Sequence, residues 1–302
     1  MTNQVWTVAR AEIPESEAEL FDRLASEEEN WPWLVALRQD PPRTGEIIGY
    51  FANGEAAHEA IADLRRIGER EGIDLPDHWF QFHQEGESDW AAAYRAHFKP
   101  WAMGGIHWVP VWERDSYQVP EGDRVIWLDP GMAFGTGNHE TTRLCLQELS
   151  RLRDELCAAN QWEEGWDCVD AGCGTGILAL SAEALGYGPV WGFDNDPVAV
   201  KVARENATLQ GSPEPKVVWR EGDLLTGWPD HSGGVVVANI LAVVLIQFVN
   251  PVVAAVRPGG YLILSGILAR EVDDVRSAYA GKMNFLRFST MGEWAVLVLQ
   301  KP

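Results

Sequence analysis

The chain contains few cysteines and no long apolar run. Its 302 residues include four cysteines, none with the paired spacing of a metal site, so neither a disulfide framework nor a bound metal is expected. No apolar run approaches the roughly 18 residues that a membrane-spanning helix needs, and residues 1–12 lack a signal-peptide pattern. We therefore expect reduced thiols and a cytoplasmic protein that does not cross a membrane.

Basic residues are also scarce, since 24 lysines and arginines stand against 45 acidic residues and give a formal net charge of −21. This excess disfavours binding to the phosphate backbone of nucleic acids and favours encounter with a basic partner protein. An acidic surface also serves solubility alone, and both explanations stay open. The 46% hydrophobic content is typical of a protein with a folded core.

From Asp167 onward, apolar runs alternate with helical patterns, which indicates an α/β domain with a parallel sheet; we assign this domain to residues 121–302. The last two runs, FLRFST and EWAVLVLQ, are joined by a short turn and predict an antiparallel hairpin. Residues 1–88 suggest a small α+β domain with two βα repeats. Residues 89–120 are expected to link the two domains, with Trp101 and Trp108 packing between them.

The clearest ligand-binding signal is VDAGCGTGILAL, residues 169–180. A strand leads into Gly172, Gly174 and Gly176, and a helix follows, so free N–H groups and a Cβ-free backbone meet at a helix N-terminus. A dinucleotide-binding fingerprint would require glycine at position 177, where this chain has isoleucine. An NAD-dependent oxidoreductase is therefore a less favoured alternative. A glycine-rich turn that serves packing alone is the other alternative.

Two polar residues stand at the ends of predicted apolar strands. Asp194 ends VWGFD and can accept hydrogen bonds from both hydroxyls of a ribose, although it could instead cap the next helix. We assign that cap to Asn195 or Asp196. Asn239 follows GVVVA at the carboxyl end of a predicted parallel strand, where its amide oxygen could accept a hydrogen bond from an amine; it could also be a buried turn residue.

A second glycine-rich segment, residues 131–139, precedes a helix that begins near residue 140 or 141. Asn138 or a threonine is expected to cap this helix. This segment, together with VDAGCGTGILAL, GFDNDPVAVKVARENA, VVANILA and PGGYLILSGIL, resembles the ribosomal protein L11 methyltransferase family, of the PrmA type. The resemblance extends from about residue 89 to the C-terminus.

The resemblance implies a class I methyltransferase dependent on S-adenosylmethionine (SAM), with a Rossmann-like seven-stranded sheet and a smaller ferredoxin-like N-terminal domain. It implies that SAM is held by Thr142, by the loop at Gly172, Gly174 and Gly176, and by Asp194 and Asn239, with Asp223 beside the adenine. Asn239 is also the candidate catalytic residue, because it can position the amine.

The resemblance further implies methylation of lysine ε-amines and of an N-terminal α-amine on a basic ribosomal protein, which the first domain would bind. We expect a monomer that makes no direct contact with nucleic acid or membrane. A lysine methyltransferase for another protein, such as an electron-transfer flavoprotein subunit, is the nearest alternative. A SAM-binding module without catalytic activity is an alternative of a different class.

Overall fold

The computed structural model describes residues 5–14, 17–18, 20–21, 32–37, 44–73, 75–86, 99–129, 139–162, 165–211 and 216–302. Contacts within the chain divide it into two units, Met1–His97 and Phe98–Pro302. Each unit contains its own cluster of buried apolar side chains. Within the described ranges, every helix is too short or too polar to span a bilayer.

The first unit is an antiparallel sheet with the strand order β2-β3-β1-β4. Its elements are β1 (Val5–Pro14), β2 (Trp33–Leu37), β3 (Thr44–Phe51), α1 (Gly54–Arg70) and β4 (Gln81–Gly86). Residues 17–18 and 20–21, between β1 and β2, are also helical. This order of elements confirms the predicted ferredoxin-like α+β fold.

Helix α1 forms because Asn53 caps its N-terminus and an apolar stripe faces the sheet. The Asn53 side chain accepts a hydrogen bond from the N–H of Ala56 at 2.9 Å. Ala57, Ile61 and Leu64 follow helical spacing and are buried, so they form one side of the core of this unit.

The second unit begins with a small three-stranded sheet of β5 (Trp101–Met103), β6 (Ile106–Pro110) and β7 (Arg124–Leu128). The rings of Trp101 and Trp108 stack with centroids 4.1 Å apart, and Trp108 donates to the Ser181 hydroxyl at 2.8 Å. Trp108 lies in the core of the second unit and Trp101 packs against it, and the packing of these tryptophans between the domains remains a prediction. Residues 101–113 contribute strands to that unit.

The main sheet of the second unit has seven strands in the order β10-β9-β8-β11-β12-β14-β13. The strands are β8 (Cys168–Ala171), β9 (Val190–Asp194), β10 (Val217–Glu221), β11 (Gly233–Asn239), β12 (Val256–Leu268), β13 (Asn284–Met291) and β14 (Trp294–Gln300). The first five in this order are parallel, and β14 is antiparallel to both neighbours. The predicted α/β sheet and its terminal hairpin are confirmed.

Helices cover both faces of this sheet. They are α2 (Glu140–Ala158), α3 (Ile177–Leu185), α4 (Pro197–Thr208), α5 (Ala242–Gln247), α6 (Val249–Ala255) and α7 (Val272–Tyr279). Alternate residues of β11 contribute to two separate cores, with Val235 and Val237 on one face and Val236 and Ala238 on the other. This double burial explains why GVVVA is a continuous apolar run.

Candidate active site

The glycine loop lies between β8 and α3, as predicted. Gly172, Gly174 and Gly176 have φ values of 73°, 51° and 82°, a region that glycine adopts without steric cost. A Cβ atom on Gly172 would lie 2.7 Å from Cγ2 of Ile240, and one on Gly176 would lie 2.7 Å from the Trp219 ring. The sequence therefore needs glycine here for conformation and for space.

Asp194 ends β9 with its carboxylate against this loop. One oxygen accepts from the N–H of Gly174 at 2.9 Å, and the other accepts from the N–H of Asp196 at 3.0 Å. A carboxylate offers about four lone-pair positions, so acceptor capacity remains for ribose hydroxyls. Asp196 caps α4 by accepting from the N–H of Val198 at 2.8 Å, which confirms one of the two predicted caps.

Thr142 and Asn239 are brought together although they are 97 residues apart in the chain. Asn239 is the last residue of β11, and Thr142 lies fully buried in the first turn of α2. The side-chain N–H of Asn239 donates to the Thr142 hydroxyl at 3.4 Å. The amide oxygen of Asn239 is buried and receives no hydrogen bond within the described part of the chain.

The predicted start of α2 at residue 140 is confirmed, but its cap is His139. The imidazole Nδ1 of His139 accepts from the N–H of Thr141 at 3.3 Å, so a threonine cap is wrong. Asn138 and the rest of the predicted second glycine loop, residues 130–138, lie outside the described residues. The rings of His139 and Trp294 pack in a T-shaped arrangement, with centroids 4.8 Å apart.

Asp223 lies in the turn that follows β10, next to the end of β9. The N–H of Gly222 donates to the carbonyl of Asp194 at 2.9 Å, which joins the two strand ends. The Asp223 carboxylate accepts from the N–H of Leu225 and from the Thr226 hydroxyl, and these bonds lower its pKa. The carboxylate thus stabilises its own turn, and its contact with adenine remains a prediction.

Sequence reasoning did not single out Asp170. This residue of β8 is fully buried, and one oxygen accepts from the N–H of Ala179 at 3.0 Å. The other oxygen receives no hydrogen bond from the described residues. Burial raises the pKa of Asp170 to about 7; the Ala179 N–H opposes this rise, and the charge of Asp194 adds to it. An acid inside the apolar run CVDAG was the signal in the sequence.

Comparison with known proteins decides the family. The sequence profile described as "Ribosomal protein L11 methyltransferase (PrmA)" matches residues 15–302. This chain belongs to that family. A ribosomal protein L11 methyltransferase of Geobacter metallireducens is 42% identical over 275 residues, which cover 88% of this chain and 85% of the relative. One from Halalkalibacterium halodurans is 41% identical over 244 residues, covering 79% and 74% of the two chains.

A solved structure supports the same family. The crystal structure of a ribosomal protein L11 methylase from Lactobacillus delbrueckii subsp. bulgaricus superposes with a TM-score of 0.57 and 29% sequence identity. The match covers 66% of this chain and 96% of that one. Membership of the PrmA family makes the chain a SAM-dependent protein methyltransferase and confirms the predicted class I fold.

The residues at the carboxyl edge of the sheet fit the chemical groups of SAM in this PrmA-family chain. Gly172, Gly174 and Gly176 carry no Cβ atom, so a ligand can approach the backbone of the loop closely. The buried, unbonded oxygen of Asp170 suits an ammonium group, and Asp194 suits ribose hydroxyls. Asn239 at the end of the neighbouring strand β11 and Thr142 in the first turn of α2 add a hydrogen-bonded amide and hydroxyl to this edge.

Proposed function

We propose that this chain transfers methyl groups from SAM to lysine ε-amines, and to an N-terminal α-amine, of ribosomal protein L11. The observation that carries this proposal is the buried amide oxygen of Asn239, which lacks a donor within the described residues. Buried polar atoms in native proteins usually have a partner, and an amine N–H would supply one here. The names of the relatives support L11 as the protein that bears this amine.

The amine must enter as a neutral nucleophile. A lysine in water has a pKa near 10.4, so the site must favour its uncharged form. SAM supplies an electrophilic methyl group on a sulfonium when it is bound. Asn239 accepts one N–H of the amine, which leaves the nitrogen lone pair available for in-line attack. Thr142 fixes the amide by accepting its N–H, so the Asn239 oxygen faces the amine.

The surface after Asn239 is apolar and exposed, which supports entry of a neutral amine. Leu241, Val243 and Ile246 are 46%, 67% and 38% exposed. Residues 232–256 contain no aspartate, glutamate, lysine or arginine, although 23% of the whole chain is charged. In this proposal the surface receives the aliphatic stem of the lysine and the apolar side chains beside it, and it supplies no counter-ion for an ammonium.

Further parts of the proposal concern the substrate protein, the oligomeric state and the contacts to SAM. The first unit binds the basic substrate protein, and the net charge of −21 favours their encounter. The enzyme acts as a monomer in the cytoplasm without direct contact to nucleic acid. The Asp194 carboxylate binds the SAM ribose, and the turn at Asp223 lies beside the adenine. Deletion of residues 1–87 would leave SAM binding intact and abolish transfer to the protein.

The proposed function is tested with the full chain, SAM that carries a labelled methyl group, and two purified acceptors. Ribosomal protein L11 is the expected acceptor, and an electron-transfer flavoprotein subunit is the comparison. Label on L11 alone supports the proposal, and mass spectrometry then identifies the modified amines. Label on the flavoprotein subunit alone contradicts the assignment of L11 as the substrate. Binding of SAM without transfer to either acceptor contradicts the proposal and supports a SAM-binding module.

A further inference from the structure

Two side-chain amides near the C-terminal end of α4 bind the backbone at the end of β7. The amide of Gln210 accepts from the N–H of Trp127 at 3.0 Å and donates to its carbonyl at 2.6 Å. One turn earlier, Asn206 accepts from the N–H of Asp129 at 2.7 Å. Residues 127 and 129 are alternate positions, so the two amides bind one edge of the backbone, as a neighbouring strand would.

Asn206 makes one further contact that Gln210 does not. Its side-chain N–H donates to the carbonyl of Thr175 at 2.9 Å, and Thr175 lies inside the glycine loop. Asn206 is 0% exposed, and burial of an amide is costly unless both of its ends are paired. One buried amide therefore joins the glycine loop to Asp129, the residue at which the chain leaves β7 toward the second glycine-rich segment.

The glycine loop needs such an anchor because its glycines are conformationally free. Gly174 and Gly176 flank Thr175 and both have positive φ. Two contacts to the end of β9 hold the first part of the loop, since the N–H of Gly172 donates to the Phe193 carbonyl and the N–H of Gly174 donates to the Asp194 carboxylate. The carbonyl of Thr175 is the loop group that accepts a hydrogen bond from Asn206 of α4. An unanchored loop would have to be ordered when the ligand binds, which weakens binding.

We propose that Asn206 is a positioning residue that holds the glycine loop in its SAM-binding conformation through the Thr175 carbonyl. This inference rests on the proposed SAM site. Asn206 itself need not touch SAM, because it acts through the backbone of the loop. Its second contact, to Asp129, joins this loop to the end of β7. The proposal makes SAM affinity depend on a residue outside the predicted binding set.

The test compares Asn206→Asp with the matched variant Gln210→Glu in the full chain. Each change retains the oxygen that accepts from β7 and removes the amide donor, but only the first loses a bond to the glycine loop. Calorimetry at neutral pH should show SAM binding weakened about 10-fold or more in Asn206→Asp and less than about twofold in Gln210→Glu. Thermal melting of both variants defines a temperature at which each is folded.

A pH series separates positioning from general damage to the fold. The introduced carboxyl would be buried against a carbonyl, so its pKa should rise, and at low pH its O–H can donate to Thr175. SAM affinity of Asn206→Asp, relative to the wild type at the same pH, should recover on acidification. Asn206→Ser, which lacks the donor and adds no charge, should bind weakly at every pH and serves if Asn206→Asp fails to fold.

Equal dissociation constants for the Asn206 variants and Gln210→Glu, with the wild type binding SAM, would overturn the role of Asn206 alone. A loss of affinity in Asn206→Asp that acid does not reverse would also overturn it. Absence of SAM binding by the wild type would overturn the proposed function, and this inference with it. The two failures are therefore distinguishable in one set of titrations.

Discussion

The side-chain N–H of Asn239 donates to the hydroxyl of Thr142, and this bond orients the only polar side chain at the end of β11. The amide could otherwise rotate and present either its oxygen or its nitrogen to a ligand. With the nitrogen engaged by Thr142, the buried oxygen is the atom available to an amine. The pair therefore presents a hydrogen-bond acceptor at the end of β11.

Replacement of Asn239 should affect catalysis more than SAM binding. Asn239→Ala removes the acceptor that positions the amine, and we expect kcat to fall about 100-fold. Thr142→Ser retains the hydroxyl and should retain most of the activity, whereas Thr142→Val should resemble Asn239→Ala. Steady-state kinetics with L11 and calorimetry with SAM measure the two effects. Full activity in Asn239→Ala would contradict the assignment of Asn239 to the amine.

The assignment of Asp194 to the SAM ribose can be tested with Asp196 as a matched control. Asp194→Ala removes charge-assisted hydrogen bonds worth about 1.5 to 3 kcal/mol and should weaken SAM binding accordingly. Asp196→Asn preserves the cap of α4, because asparagine caps helices about as well as aspartate, and should bind SAM like the wild type. Calorimetry measures the affinity of both variants for SAM. Equal affinities would contradict the assignment of Asp194 to the ribose.

The pH dependence of stability should reflect Asp170. Its pKa is raised from 3.8 to about 7, so the folded state binds more protons than the unfolded state between these values. The free energy of unfolding should therefore fall as pH rises from about 4 to about 7, by at most about 1.4 kcal/mol per pH unit from this group. Above pH 7 the contribution is constant.

Asp170→Asn removes this titration and should flatten the curve. Urea unfolding of the wild type and the variant at a series of pH values measures the difference, in which contributions from other groups cancel. Asn retains an oxygen for the N–H of Ala179, so the local structure has its acceptor. Parallel curves for the two proteins would show that Asp170 does not titrate in this range.

Gly266 should tolerate substitution far less than Gly259, although both lie in β12 with positive φ. A Cβ atom on Gly266 would lie 2.4 Å from the carbonyl oxygen of Ile240, whereas nothing lies within 4 Å of one on Gly259. Gly259→Ala should cost about 1 kcal/mol of backbone strain. Gly266→Ala should cost more and displace Ile240, which follows Asn239, so methyl transfer should also fall. Similar stability of the two variants would contradict this.

The sequence predicted the features that depend on neighbouring residues. Glycine spacing and the strand before it located the loop at Gly172, and the acid after the next strand located Asp194. The contacts of Asn206 were not predictable, because they join residues 31 and 77 positions away and depend on how α4 meets β7. Asp170 was not predicted as a site residue, because the apolar residues around it indicate only a buried strand.

The cap of α2 shows a second limit of sequence patterns. Asn138 and the threonines match the statistical preference for a cap, yet His139 has the ring nitrogen at the right place. Trp108 shows a third limit. An aromatic cluster indicates burial but does not specify which core receives it, and here the Ser181 hydroxyl on α3 provides the partner.

Strand β11 has side chains buried on both faces up to Ala238, and its polar group appears at the final residue. Successive side chains of a strand point to opposite faces, so an insertion of one residue before Asn239 would turn its amide to the face opposite Thr142. An insertion of two would restore the face but extend the amide by roughly 6.6 Å along the strand. The position of the Asn239 amide is thus set by the parity and length of β11, and not by the identity of the residue alone.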